Sequence, residues 1–333
     1  MIIDDKRIVK NNRLLELDQA KGIAIFLVIY THCIQYICKG EGFDNIIYQC
    51  VYTFHMPLFM IISGYLFYSK MNVSIKSVII SQFKHLILPA VFLGGIVTLL
   101  CGGNINIVTL AKMPLTCWFL GNLFATSIIY LIGNRLIKDI RITTVLLSIS
   151  ILFIPESYGC YFLKFFIPFF GFGLCLKKYG LLEIKIKRKV FLLFALVSLL
   201  ICALVWDKSN YIYITPPLMK ISNIIVHIIR FVVGSLLSIL IILGFRQMTL
   251  PEWINKLLSN LSYNSMALYV CHYIFLTNIS KYYYLQGYKE YENDIISLVS
   301  AIVITWFLTY LINRIRNNKT FSFIVTGKIG RGV

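Results

Sequence analysis

The chain has five histidines, His32, His55, His85, His227 and His272, and each falls inside a long apolar run. Imidazole is the side chain best suited to take a proton from a hydroxyl near neutral pH. An ionisable group in hydrocarbon is costly and faces a cavity or a bundle interior. At 1.5 Å rise per residue, each ring is expected roughly 9–17 Å from the nearer helix end, so that all five share one layer. Arg230 is also expected inside a span, and Lys84 and Lys164 near the ends of theirs. The 14 Asp and Glu, from Asp4 to Asp294, fall instead in loops, at the termini or at span ends. That distribution excludes a membrane-buried Ser-His-Asp triad. It also argues against a proton-driven carrier, which relies on intramembrane acid relays. A histidine acting as general base on a substrate hydroxyl stays open.

Spacing sharpens the set. Lys21 and His32 are 11 residues apart, which brings them to within about 20° of one helix face but about 16 Å apart along the axis. A long ligand would have to bridge them. Ser265, Tyr269 and His272 step by four and three and form one polar stripe expected to face inward. His227 and Arg230, three apart, could hold an anion or an oxyanion, for which His55 and Tyr269 are further donor types. His55 is followed by Pro57, which would kink its helix, and by Ser63 and Gly64, which allow close packing. The nine cysteines are scattered, without a CxxC pair or metal-ligand spacing. They read as packing residues, and no metal is expected.

The elements that position these groups are transmembrane helices. Hydrophobic residues make up 58% of the chain and charged ones 14%, with mean hydropathy +0.78, and runs of about 20 apolar residues recur throughout. The expected fold is all-α and polytopic, about ten spans near 22–38, 47–69, 77–101, 116–134, 142–154, 161–176, 190–206, 221–245, 262–284 and 294–312. The fifth and sixth, flanking Pro155 and Gly159, could be a tight or re-entrant pair. A short N-terminal segment, 1–20, and a basic tail, 313–333, complete one domain over 1–333. Most of the 32 Lys and Arg lie at the two ends and in the loops after the second, fourth, sixth and eighth spans, so both termini are expected in the cytoplasm. The net charge of +18 is mainly this topological signal and calls for no nucleic acid. The first run lacks a small-residue cleavage pattern and is expected to be retained.

Asp18-x-x-Lys21-Gly22, followed by an apolar run to His32, resembles the first-helix signature of the acyltransferase-3 integral membrane acyltransferases, especially the branch termed fucose-4-O-acetylase-like. Phe54-His55-Met56-Pro57-Leu58-Phe59, with Ile62-Ser63-Gly64-Tyr65 after it, is similar to the second-helix pattern. Many members carry an arginine where Lys21 stands, which keeps charge but loses a bidentate fork. In the third span, Gln82 and His85 occupy positions where many relatives have arginines, with Lys84 beside them as a cation. Trp118-Phe119-Leu120 and Ser262-Tyr263-Asn264-Ser265 leading to His272 match weaker landmarks, and Trp118 is equally readable as an interfacial anchor.

The resemblance implies an O-acyltransferase of the bacterial cytoplasmic membrane that moves an acyl group, acetyl first among them, from acetyl-CoA to a hydroxyl of a cell-surface or lipid-linked glycan. His32 and His55 would be the catalytic residues. Lys21, Gln82, Lys84 and His85 would hold the donor. Asp18, Ser63, Trp118, His227, Arg230, Ser265, Tyr269 and His272 are candidates for the acceptor or oxyanion. Acyl-CoA, the glycan and membrane lipids are the expected partners. A transporter or flippase for a glycan-related substrate is the rival reading, since it too needs a polar cavity between helices.

Overall fold

The computed structural model describes residues 14–37, 45–154, 161–205, 221–280, 290–318 and 322–326. Within them every regular element is helical. The helices are α1 (Leu15–Tyr36), α2 (Ile46–Phe67), α3 (Ile75–Gln82), α4 (Leu88–Leu100), α5 (Ile107–Thr116), α6 (Trp118–Ile137), α7 (Ile140–Ser150), α8 (Tyr161–Lys178), α9 (Arg188–Val205), α10 (Ile221–Gln247), α11 (Glu252–Ile279), α12 (Glu290–Asn317) and the short α13 (Ser322–Thr326). Residues 1–13, Pro155, Gly159 and the tail beyond 326 lie outside the described residues.

Seven helical stretches are long and apolar enough to cross a membrane, so the chain is a polytopic membrane protein. The other three expected spans are helical but fail that criterion for separate reasons. The first, α7, is an 11-residue helix. In α8, lysines stand at 164, 177 and 178. The third, α11, keeps many polar residues that turn inward, with Asn264, Ser265 and His272 all buried. Several boundaries also move. Helix α1 starts at Leu15, so part of the expected N-terminal segment is helical and buried at Leu17, Gln19 and Ala20. Helix α11 starts at Glu252, ten residues before the expected 262. The expected tail begins inside α12, where the Asn313 carboxamide oxygen accepts from Asn264 at 2.9 Å. Helix α5 was not anticipated, being short and capped by Asn106, whose side chain accepts from the Thr109 N–H at 2.8 Å.

The expected third span is one rod in two registers. Pro89 has no N–H to give the carbonyl of His85, and the chain passes this point in a π turn, Phe83–Ile87, closed by the Leu88 N–H on the Phe83 carbonyl.

Helices α1, α2 and α11 form the interior, with α8 closing against α2, while α9 and α12 leave many of their large apolar side chains exposed on the outside of the bundle. Without water to drive apolar side chains together, such helices associate through close backbone approach and interhelical hydrogen bonds. A Cβ at Gly22 would stand 2.2 Å from the Leu258 carbonyl oxygen of α11, and one at Gly173 would stand 2.1 Å from the Ile61 carbonyl oxygen of α2. Beside Gly22, Gln19 donates to Asn255 at 2.5 Å and Ser262 to Asp18 at 3.0 Å. Gly22→Val is expected to cost about 1–3 kcal/mol through overpacking against backbone that cannot retreat. The check is the thermal unfolding midpoint in detergent, which should fall; an unchanged midpoint would show that α1 and α11 are not locked here.

One face of the bundle gathers the basic helix ends. Arg246 at the end of α10 donates to the Ile184 carbonyl at 3.1 Å, just past α8. Tyr65 at the end of α2 donates to Glu183 at 3.2 Å. Lys21 near the start of α1 and Ser63 near the end of α2 line the same cavity.

Candidate active site

Three histidines, from α1, α2 and α11, gather in the interior, and the partners of their ring nitrogens fix the proton positions. His272 Nδ1 lies 2.7 Å from the Leu268 carbonyl oxygen. A carbonyl only accepts, so Nδ1 carries the proton and Nε2 of the neutral ring presents a lone pair. His32 Nδ1 lies 2.8 Å from that Nε2 and must therefore be the donor. The planes are nearly parallel, 17° apart, with centroids at 5.1 Å, an edge-to-edge contact between nitrogens. By elimination, His32 Nε2 is the unprotonated nitrogen. It faces the Tyr52 hydroxyl at 3.3 Å.

The arrangement runs carbonyl, His272, His32, and then whatever hydroxyl meets Nε2. It holds the His32 ring in place as the acid of a Ser-His-Asp triad holds its histidine, but with a second imidazole and a helix carbonyl where the carboxylate would be. His272 is 0% exposed, so nothing in solvent competes for its nitrogens.

His55 is equally constrained. Its Nδ1 lies 2.8 Å from the Val51 carbonyl, so the neutral ring turns a lone pair outward and cannot donate to an oxyanion, contrary to expectation. The Tyr269 hydroxyl accepts from the Phe119 N–H at 3.3 Å, which leaves its own proton available for donation.

A cavity of about 100 Å³ leads toward this group. Lys21, Ser63, Ser265 and Tyr269 supply its polar groups, while Ile25, Val28, Leu86 and Phe119 are among its apolar walls. Val28 and Tyr269 are the lining residues nearest the pair in sequence, four before His32 and three before His272, or about 5–6 Å along each helix. At about 100 Å³ the space is below the ~300–1,000 Å³ typical of drug-sized ligands and admits only a slender portion of a donor.

Beyond the pair, away from Lys21, stands a group of tyrosines that the sequence reading missed. Tyr36 and Tyr273 lie 5.9 and 5.6 Å from the His32 ring. Tyr52 lies 4.6 Å from His55 and stacks on Tyr48 at 3.9 Å. The stepping that exposed the Ser265 stripe would have found them, since His32 and Tyr36 are four apart and Tyr48, Tyr52 and His55 step by four and three.

Other expected residues do not join this centre. Asp18 accepts from Ser262 at 3.0 Å and so ties α1 to α11. Trp118 stacks on Phe162 at 4.2 Å, a packing contact against α8. His85 sits in the π turn with Nδ1 2.6 Å from the Ser81 carbonyl; Gln82 is buried and Lys84 exposed, and Leu86 is the residue of that turn that reaches the cavity. His227 has Arg230 and Lys164 as its charged neighbours, so the five histidines divide into a central three and two outliers.

The sequence comparisons agree with this architecture. The chain is 30% identical over 224 residues to the nodulation protein NolL of Mesorhizobium japonicum, which covers 61% of this chain and 59% of that protein. It is 45% identical over 60 residues to the nodulation protein NolL of Sinorhizobium fredii, 17% of this chain and 16% of that protein. The matched stretch thus spans less than two thirds of these relatives. No solved structure matches. The family model described as an acyltransferase domain matches residues 14–314, and with that match over nearly all of the chain, the protein belongs to the acyltransferase-3 family of membrane acyltransferases.

Proposed function

We propose that this protein transfers an acetyl group from acetyl-CoA to a hydroxyl of a cell-surface or lipid-linked glycan in the bacterial cytoplasmic membrane. The observation that carries the reading is the oriented pair, His272 holding His32 with its basic Nε2 turned toward a hydroxyl. The donor enters from the basic, cytoplasmic face, its phosphates near Lys21 and its slender thioester arm in the cavity toward Val28 and Tyr269. The acceptor approaches from the tyrosine side, where ring faces suit the apolar faces of a sugar. Both termini lie in the cytoplasm and ten helices span the membrane. The resemblance of the first two helices to the fucose-4-O-acetylase-like branch supports a carbohydrate acceptor.

In the proposed step, the acceptor hydroxyl gives its proton to His32 Nε2 as its oxygen bonds to the thioester carbonyl carbon. The imidazolium is stabilised by the His272 Nε2 lone pair, and Tyr269 donates to the oxyanion. Collapse breaks the carbon–sulfur bond, and the proton returns from His32 to the departing thiolate. Donor and acceptor thus become a free thiol and an ester, with no redox change.

Protein reconstituted in lipid nanodiscs and given radiolabelled acetyl-CoA with oligosaccharide acceptors should release thiol and label the sugar in equal amounts. Passage of sugar across a liposome membrane without thioester cleavage would establish the transporter instead. Lys21→Ala is expected to raise KM for acetyl-CoA about tenfold and leave kcat within a few fold, because a phosphate contact remote from the reacting carbonyl contributes uniform binding. A fall in kcat at unchanged KM would remove Lys21 from the donor path.

A further inference from the structure

A second cavity, about 350 Å³, opens between α8, α9 and α10. Phe172 and Leu176 of α8, Phe191 and Phe194 of α9, and Leu236 and Ile239 of α10 form its sides. Ser235 is the one polar side chain among its lining residues. Helix α9 leans on α10 and buries little of its own surface, which leaves the slot beside α8 unfilled. The volume equals that of about twelve waters at ~30 Å³ each, yet water needs two to four polar partners apiece and these walls supply almost none. An empty apolar slot forfeits dispersion contacts along its whole lining. Hydrocarbon is the guest that fits.

The rim carries the opposite chemistry. The segment from Leu181 to Val190 closes one end of the slot through Leu182 and Ile186. Arg246 pins it by donating to the carbonyls of Leu182, Ile184 and Glu183, and Gln247 by donating to Ile186 at 3.0 Å. Lys185, Lys187, Arg188 and Lys189 stand exposed along this segment. The acid of the rim, Glu183, accepts from Lys177 at 2.7 Å, and that contact holds its carboxyl below the usual range. The rim is therefore left strongly positive.

We propose that this slot seats one anionic membrane lipid, its tail between α8, α9 and α10 and its phosphate on the basic rim. The positive-inside tendency accounts for the charges but not for a slot beneath them, and basic sites at the cytoplasmic ends of helices are where anionic head groups bind. The inference is independent of the acyl-transfer reading, because none of its residues belongs to the histidine centre.

The test uses the whole protein in phosphatidylcholine nanodiscs, with trace spin-labelled phosphatidylglycerol or spin-labelled phosphatidylcholine as the probe. Electron paramagnetic resonance should show a motionally restricted component about threefold larger for phosphatidylglycerol. Changing Lys185, Lys187, Arg188 and Lys189 together to Gln should abolish that preference. Leu236→Trp, which fills the slot and leaves the charges in place, should remove the excess restricted component of phosphatidylglycerol. Phe194→Trp on the outlying helix is the second filling variant, in case the first fails to fold. Equal restriction of the two lipids in the unaltered protein overturns the proposal. So does a folded slot-filled variant that still holds phosphatidylglycerol, since the charges would then be acting as an ordinary basic loop.

Discussion

Replacing His32 by alanine is expected to lower kcat for acyl transfer about a thousandfold, with KM for the donor nearly unchanged. General-base catalysis contributes about 10²–10⁴-fold, and this ring holds the unprotonated nitrogen of the pair that faces a hydroxyl. The substitution also takes the donor away from His272 Nε2, and a buried acceptor left unsatisfied costs about 1–3 kcal/mol. Unfolding must therefore be measured alongside turnover, and His32→Gln, which retains bulk and a polar end, separates the two effects. Turnover within a few fold of the unaltered enzyme in a folded His32→Ala protein would eliminate this histidine as the base.

His272→Ala is the second large effect, expected at about a hundredfold in kcat. Here the loss is positional. His272 donates to the Leu268 carbonyl and accepts from His32, and without it His32 is free to place its proton on either nitrogen. In a serine protease triad the wrong tautomer alone costs about 10⁴-fold; the smaller figure reflects the absence of a carboxylate here. His272→Gln offers an oxygen where the Nε2 lone pair stood and should recover all but about tenfold. That rescue distinguishes the two roles, since a merely structural histidine would show unfolding midpoints that follow activity and no preference for an acceptor at that atom. Alanine and glutamine variants of equal activity would refute the positioning role.

The sequence displayed the members of this centre but not their partnership. His32 and His272 each stood out as ionisable groups in apolar runs, and Tyr269 and Ser265 as a stripe, because helical periodicity is local information. The contact between residues 240 apart is a property of how α1 lies on α11, and no spacing rule reports it. The tyrosines were passed over because aromatic residues in membrane helices are so often boundary anchors. The first ten residues of α11 escape a hydropathy reading because Glu252, Asn255, Lys256, Ser259 and Asn260 interrupt them, and one of these, Asn255, proves to belong to the seam with α1. The hydrogen bond that Asp18 accepts from Ser262 across the same seam was likewise out of reach of any spacing rule, because the two residues are 244 apart.

The π turn beside Pro89 has a geometric consequence for the cavity wall. In a regular helix every fourth residue over-rotates by about 40°, so a row taken in fours spirals off its face within a few turns. Val78, Gln82, Leu86, Ala90 and Gly94 form such a row, and all but Leu86 are buried, while Leu86 enters the cavity. One wider coil winds more slowly and takes back much of the accumulated drift. It acts as a phase corrector, letting a single rod present the same edge to the bundle on both sides of a proline.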